Sequence, residues 1–245
     1  MPELYVLQEF LAGARVAPAV FALRPDYRAL LLAVDGLEPG PSDPSSEALL
    51  RAAESAAVRG RRDRPVEQLP HVQAWREAYR AFGAKPQRTR NSLEALVRRA
   101  ASGLPRVNRL TDLYNALSVL HQVPLGGEDL SCYAGPPSLI RAAGNEPFET
   151  MADGEAAVEH ADPGEVVWCD DAGVTCRRWN WRQARRTALR EDTTTALFIL
   201  DALDPLTDEA LHAAAEHLVT HLARPGANVR VARRLIAAPS TDQGA

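Results

Sequence analysis

From residue 70 to residue 121 the apolar side chains recur every three to four positions, and from residue 138 to residue 203 they recur mostly every two. A period near 3.6 belongs to a helix lying on a core, and a period of two to a half-buried strand. Helices therefore precede most of the strands instead of alternating with them. That order predicts an α+β fold and argues against a doubly wound parallel sheet. The helical stretch resolves into three elements. Pro70 opens the first, in which Val72, Trp75, Tyr79 and Phe82 share a face up to Gly83. Asn91 and Glu94 stand at capping-box spacing before the second, which runs to Gly103. The third spans Val107 to His121, with Leu110, Leu113, Tyr114, Leu117 and Leu120 on its apolar face. Strands are predicted at Ser138–Ala142, Glu165–Cys169, Val174–Trp181 and Thr194–Leu203.

Upstream, Ala19–Leu23 and Ala29–Leu37 read as short strands around the Pro25-Asp26 turn. Asp43 caps, and Pro44 opens, a helix that Gly60 stops. The run Arg59–Arg64 reads as a solvated linker. Downstream, Thr207 caps a helix to Ala223, and a short strand follows near Val229–Ile236. The expected organisation is a strand-and-helix segment at 1–65 packed on a main domain at 66–238, followed by a frayed tail at 239–245.

The formal net charge of −4 argues against a uniformly basic nucleic-acid partner. No run approaches the ~18 apolar residues of a membrane span. The N-terminus lacks the basic and apolar regions of a secretory signal. Cys132, Cys169 and Cys176 are too few for a disulfide scaffold or a four-ligand zinc site. His212, His217 and His221 lie at the margin of the last helix without the H-E-x-x-H pattern of a zinc protease, so they read as solvated. The expectation is a cytoplasmic protein that needs neither metal nor cofactor and has no membrane partner. Charge is unevenly placed. Residues 71–122 hold nine basic and three acidic residues, a balance of +6. Residues 123–174 hold one and eleven, a balance of −10, and residues 175–195 six and two, a balance of +4. Two basic blocks around an acidic one can form a single phosphate-binding face, or can neutralise the acidic block internally.

Three constellations stand out. Asn108, Asp112 and Asn115 recur at i, i+4 and i+7 on the third helix, opposite its apolar stripe. Asn competes for backbone hydrogen bonds in a helix interior, so such a stripe predicts burial with partners, either as a pocket wall or as a structural network. Pro124-Leu-Gly-Gly-Glu-Asp129 follows, reading as a turn with backbone N–H groups beside two carboxylates. In Cys176-Arg-Arg-Trp-Asn-Trp-Arg-Gln183, strand alternation sends Arg178, Asn180 and Arg182 to one face, and Arg177, Trp179 and Trp181 to the other.

Several stretches together resemble a known family. Asn91-Ser-Leu-Glu-Ala-Leu-Val-Arg-Arg99, Pro105-Arg-Val-Asn-Arg-Leu-Thr-Asp-Leu-Tyr-Asn-Ala-Leu117 and Pro124-Leu-Gly-Gly-Glu-Asp129 resemble the tRNA-editing region of the bacterial phenylalanyl-tRNA synthetase beta chain, the B3/B4 domain. Ile140-Arg-Ala-Ala-Gly-Asn-Glu146 and Gly164-Glu-Val-Val-Trp168 fit the same pattern. A free-standing version of the domain is closer still, through Trp75-Arg-Glu-Ala-Tyr79 and Arg178-Trp-Asn-Trp-Arg-Gln183. The resemblance implies an α+β fold in three layers with mixed sheets. It departs from the synthetase at Gly126, where a His follows the Pro-Leu pair, and at Arg178–Arg182, which replace a Gly-rich segment carrying a Glu. Tyrosine specificity is accordingly not implied, and no ligase core or ATP motif is present.

What the resemblance implies about function is a trans-acting deacylase that binds tRNA at its acceptor end and hydrolyses mischarged aminoacyl esters. On that reading Gly126 and Gly127 offer backbone donors, and Glu128 or Asp129 holds the water or the α-amino group. Asn108, Asp112, Asn115, Arg178, Asn180 and Arg182 line the substrate site, with the amino-acid moiety as ligand. Arg98, Arg99, Arg177, Arg185 and Arg186 grip RNA. The alternatives are a non-catalytic amino-acid- or RNA-binding module of the same fold, or a scaffold subunit of a larger complex.

Overall fold

A computed structural model describes residues 4–60, 64–152, 154–223 and 228–239. The centre of the expected 59–64 linker and nearly all of the expected 239–245 tail lie outside the described residues. Among the described residues, no helix is long and apolar enough to cross a membrane. The chain opens with α1 (Leu4–Gly13), β1 (Arg15–Val16), α2 (Pro18–Phe21), β2 (Arg28–Asp35) and α3 (Pro44–Gly60). Helices α4 (Pro70–Ala81), α5 (Ser92–Arg99) and α6 (Arg109–His121) come next. Strands then follow in series: β3 (Leu125–Asp129), β4 (Ser138–Arg141), β5 (Pro147–Ala152), β6 (Glu155–His160), β7 (Val166–Asp170), β8 (Gly173–Arg177), β9 (Arg182–Gln183) and β10 (Thr195–Ala202). The described chain closes with α7 (Asp208–Leu222) and β11 (Arg230–Ala237).

The predicted caps form. The Asp43 carboxylate accepts from Ser46 N at 2.8 Å, Asn91 from Glu94 N at 2.9 Å and Thr207 from Ala210 N at 3.2 Å. Three expectations change. Residues 18–21 form a helical turn instead of a strand, because Pro18 stands at its first position, where a missing N–H costs nothing. The strand expected over Val174–Trp181 stops at Arg177, since Arg178 and Trp179 adopt φ values of 48° and 68°. The pair Gly126-Gly127 lies inside β3 instead of in a turn.

The architecture is α+β in three layers. A four-stranded antiparallel sheet, ordered β11-β2-β10-β3, forms the middle layer. Residues 1–65, expected to pack on the main domain, contribute β2, which lies between β10 and β11. Alternation sorts the side chains of the sheet between two cores. Leu30, Leu32 and Val34 of β2, with Ala196, Phe198 and Leu200 of β10, meet the helical layer of α3, α5, α6 and α7. Ala29, Leu31 and Ala33, with Leu197 and Ile199, face α1, α2, α4 and the second sheet. Each fully buried Leu contributes roughly 1.5–3 kcal/mol, so β2 is anchored from both sides. The second sheet is ordered β1-β4-β7-β8-β9 and is mixed, since β1 runs parallel to β4 and the other pairs are antiparallel. The β5–β6 hairpin covers its outer face through Phe148, which packs with Val167 and Val174.

Candidate functional site

The inner face of the middle sheet does not close completely against the second sheet. A cavity of about 260 Å³ remains. Gly126 on β3 pairs with Ile199 on β10 and lines the cavity. A Cβ at Gly126 would meet only the Gln183 amide nitrogen, at 3.0 Å. Trp168 of β7, Cys176 of β8 and Trp179 form part of the wall, and α6 adds Tyr114 and Asn115. The rim runs along Ser92, Ala95 and Trp181, where the chain is exposed or half-buried. The carbonyl of Asn180 accepts from Ser92 N at 3.0 Å, tying the start of α5 to the wall.

Two carboxylates face this space from the same side of the sheet. Glu128 pairs with Leu197, and Asp201 follows Leu197 by four residues on β10, ~13 Å along the strand. Burial pushes the Glu128 carboxyl up to about 7 against the opposing hydrogen bond from the Tyr133 hydroxyl. Burial likewise pushes Asp201 up to about 7. Its Oδ1 accepts from the Tyr27 hydroxyl at 2.5 Å and its Oδ2 from Asn180 Nδ2 at 3.2 Å. The Tyr79 hydroxyl donates to Asn180 Oδ1 at 3.0 Å, so the Asn180 amide is held at both ends. The buried indole N–H of Trp168 makes no well-formed hydrogen bond, although it lies near enough to Asp201 to favour the ionised form. Trp179 also keeps its buried indole N–H without a well-formed hydrogen bond.

The family model described as the B3/4 domain matches residues 74–236, most of the chain. The chain belongs to the B3/4 domain family. A solved N-terminal fragment of the phenylalanyl-tRNA synthetase beta subunit from Pyrococcus horikoshii is similar at 14% identity and a TM-score of 0.44, over 89% of this chain. The chain spans 50% of the length of that fragment. No curated protein matches.

Within this B3/4 domain the predicted site residues divide. Asn115, Gly126, Glu128 and Asn180 meet at the cavity. Asn108 does not: it is the N-cap of α6, accepting from Thr111 N at 2.9 Å and donating to the Leu189 carbonyl at 3.1 Å. Asp112 turns to the α3 side, where it accepts from Ser42 at 2.5 Å and from Val107 N at 2.9 Å. The structural network accounts for these two. Gly127 faces the helical core, for its Cβ would meet the Phe198 ring at 2.7 Å, and its carbonyl accepts from Gln183 at 3.0 Å. Asp129 caps a turn through Ser131 and accepts from Thr193 at 2.7 Å.

The arginines of the B3/4 domain divide in the same way. Arg178 and Arg182 flank Trp181 at the rim, their guanidinium carbons 4.6 and 4.9 Å from its ring. Arg178 also donates to Thr89 at 2.5 Å, and Arg182 to Glu159 at 2.7 Å. Arg177 is buried, with its guanidinium bonded to Glu165 at 2.7 Å and to Glu159 at 2.9 Å. Its position is an internal ion-pair network. Arg186 pairs with Asp170 at 2.7 Å, and Arg98 with Glu94 at 2.9 Å and Glu67 at 2.6 Å. Arg99 and Arg185 are exposed.

Asp201, Tyr114, Trp168 and Gln183 were missed as site residues. For Asp201 a signal existed: it interrupts the apolar run Leu197–Leu203 at an inward-facing position. His217, read as solvated, instead lies between His121 at 2.9 Å and His221 at 3.2 Å. Among the described residues no group of three potential ligands is arranged to hold a metal ion.

Proposed function

We propose that this B3/4 domain binds tRNA carrying a mischarged amino acid in the cytoplasm, takes the aminoacyl group into the cavity and hydrolyses the ester. The observation that carries the reading is Glu128, a buried carboxyl titrating at about 7 on the wall of a cavity just below the size range of drug-sized ligand pockets. A general base works best when it titrates near the working pH. In its ionised form Glu128 takes a proton from a water that attacks the ester carbonyl. A C–O bond forms to the water oxygen. The bond between the acyl carbon and the ribose oxygen then breaks, and the same proton passes to the departing ribose oxygen. The Tyr133 hydroxyl orients the carboxylate from outside the cavity.

With Gly126 and Gly127 paired into a strand, the donor for the developing oxyanion is assigned to the Asn115 amide on the facing helix. One such contact is typically worth ~10²–10³-fold in rate. Outside the cavity, α5 carries Arg98 and Arg99 beyond Ala95, and Arg178 and Arg182 bracket Trp181. The exposed Arg99 and the half-buried Arg98, Arg178 and Arg182 beside a half-exposed indole suit a phosphate backbone ending in an unpaired base.

The test is a panel of tRNAs charged with non-cognate amino acids. Release of at least one amino acid faster than its spontaneous loss supports the reading. Binding of the charged tRNAs with release at the spontaneous rate throughout replaces it with a non-catalytic binding module.

A further inference from the structure

Among the described residues that line the cavity, two are acids, Glu128 and Asp201, and none is Arg, Lys or His. The remaining wall is largely aromatic and aliphatic, with Tyr114, Trp168, Trp179 and Trp181 supplying ring surface. Buried carboxylates are stable as anions only when a partner charge sits beside them. Aromatic faces attract a cation and repel an anion. The lining therefore leaves the positive partner to be supplied by the ligand. Asp201 is the better placed of the two to receive it. Each of its oxygens already accepts one hydrogen bond, from Tyr27 and from Asn180, which fixes the carboxylate while leaving about two of its four lone-pair sites open. The nearby Trp168 indole N–H favours the ionised form of the same carboxylate.

We infer that Asp201 receives the α-ammonium group of an amino acid whose own carboxyl is esterified or amidated, so that the cavity accepts aminoacyl esters and rejects free amino acids and N-acylated esters. The inference rests on the proposed aminoacyl reading and narrows its substrate class. A free amino acid brings a third carboxylate into a space that offers it no cation. An N-acylated ester has no ammonium to place against Asp201. Hydrolysis itself would convert an accepted ligand into a rejected one, which favours release of the product.

The test uses a full set of amino-acid amides, which keep the ammonium, lack the carboxylate and resist hydrolysis. Binding is read by quenching of the cavity tryptophans at about pH 8, where a carboxyl raised to about 7 is mostly ionised. The best-bound amide is expected to bind about tenfold or more tighter than both its free acid and its N-acetyl derivative. Asp201→Asn keeps the shape and an acceptor for Tyr27, and is expected to bind the amide and the N-acetyl amide equally. Equal binding of the three ligand forms by the unaltered protein would overturn the inference, as would an undiminished preference in a folded Asp201→Asn. Should that variant fail to fold, the three-ligand comparison decides alone. Binding of Nα-acetyl-lysinamide as tightly as lysinamide would place a side-chain ammonium at Asp201 and overturn the α-amino assignment. The two readings fail separately. Amide preference without deacylation removes the hydrolysis and leaves the ammonium site; deacylation of N-acetylaminoacyl-tRNA at an undiminished rate does the reverse.

Discussion

Gly126 lies directly opposite Ile199 across the β3–β10 pair, on the sheet face turned toward the second sheet, and its absent side chain leaves room for the cavity. Gly127, one position on, faces the other way, where Phe198 and Leu189 stand 2.7 and 2.9 Å from where its Cβ would be. Adjacent glycines therefore serve two faces of one strand.

That relationship separates two substitutions. Gly126→Leu should project into the cavity, weaken binding of amino-acid amides and leave the thermal midpoint within a few degrees of the unaltered protein, since the close neighbour of a Cβ there is the flexible Gln183 amide. Gly127→Leu should instead overpack the helical core and destabilise by about 1–3 kcal/mol in urea unfolding. Equal ligand binding by Gly126→Leu, measured by tryptophan quenching, would remove Gly126 from the cavity floor.

Trp179 is fully buried at a left-handed φ of 68°, with edge-to-face contacts to Tyr27 and Trp75 at ring separations of 5.0 and 5.3 Å. A non-glycine residue holds that conformation only when its surroundings compensate. Truncation to Ala should cost about 3–5 kcal/mol, the range for a large buried aromatic. A loss under about 1 kcal/mol in denaturant unfolding would mean that the indole is not a core anchor.

The left-handed turn also marks where the sequence stopped being legible. Helices α3 to α7 follow from period and caps, because Asp43, Asn91 and Thr207 act through local hydrogen bonds. The strand pattern of Cys176–Gln183 misleads because tertiary packing of Trp179 overrides the local preference for extended backbone. Gly126-Gly127 was misread for a similar reason, since paired glycines signal a turn unless a facing core demands their small size. Asn115 and Glu128 could be picked from the chain, but Asp201 needed the register of β10 to place it opposite Asn180. Arg177 shows the limit of charge counting, for its guanidinium answers the acidic block internally at Glu165 and Glu159.

Two arginines eight residues apart should behave oppositely. Arg177→Ala leaves the buried Glu165 without its closest cation and should destabilise by about 3–5 kcal/mol. Arg185 is exposed, so Arg185→Glu should leave the thermal midpoint unchanged while weakening tRNA binding and flattening its salt dependence by about one phosphate contact. A salt slope identical to that of the unaltered protein would take Arg185 off the RNA surface.

Glu128 and Asp201 also set a pH dependence of stability. Both titrate at about 7 when folded, against roughly 4 for exposed carboxyls, so between those values the folded state binds more protons than the unfolded one. Stability should therefore fall as pH rises from about 4 to about 7, by up to ~1.4 kcal/mol per pH unit for each group, and this contribution should level off above. The double variant Glu128→Gln, Asp201→Asn should lack that decline in thermal scans across the same range. An equally steep fall in the double variant would assign the slope to other groups.

Whether Glu128 moves the proton in ester hydrolysis is decided by single-turnover deacylation of the best mischarged tRNA by Glu128→Gln. The variant should bind the charged tRNA as the unaltered protein does and lose about 10²–10⁴-fold in rate. The unaltered protein should gain rate as pH rises to about 7, because the base must be ionised to accept a proton. Release by Glu128→Gln at the rate of the unaltered protein, with an unchanged pH profile, would take the proton transfer away from Glu128.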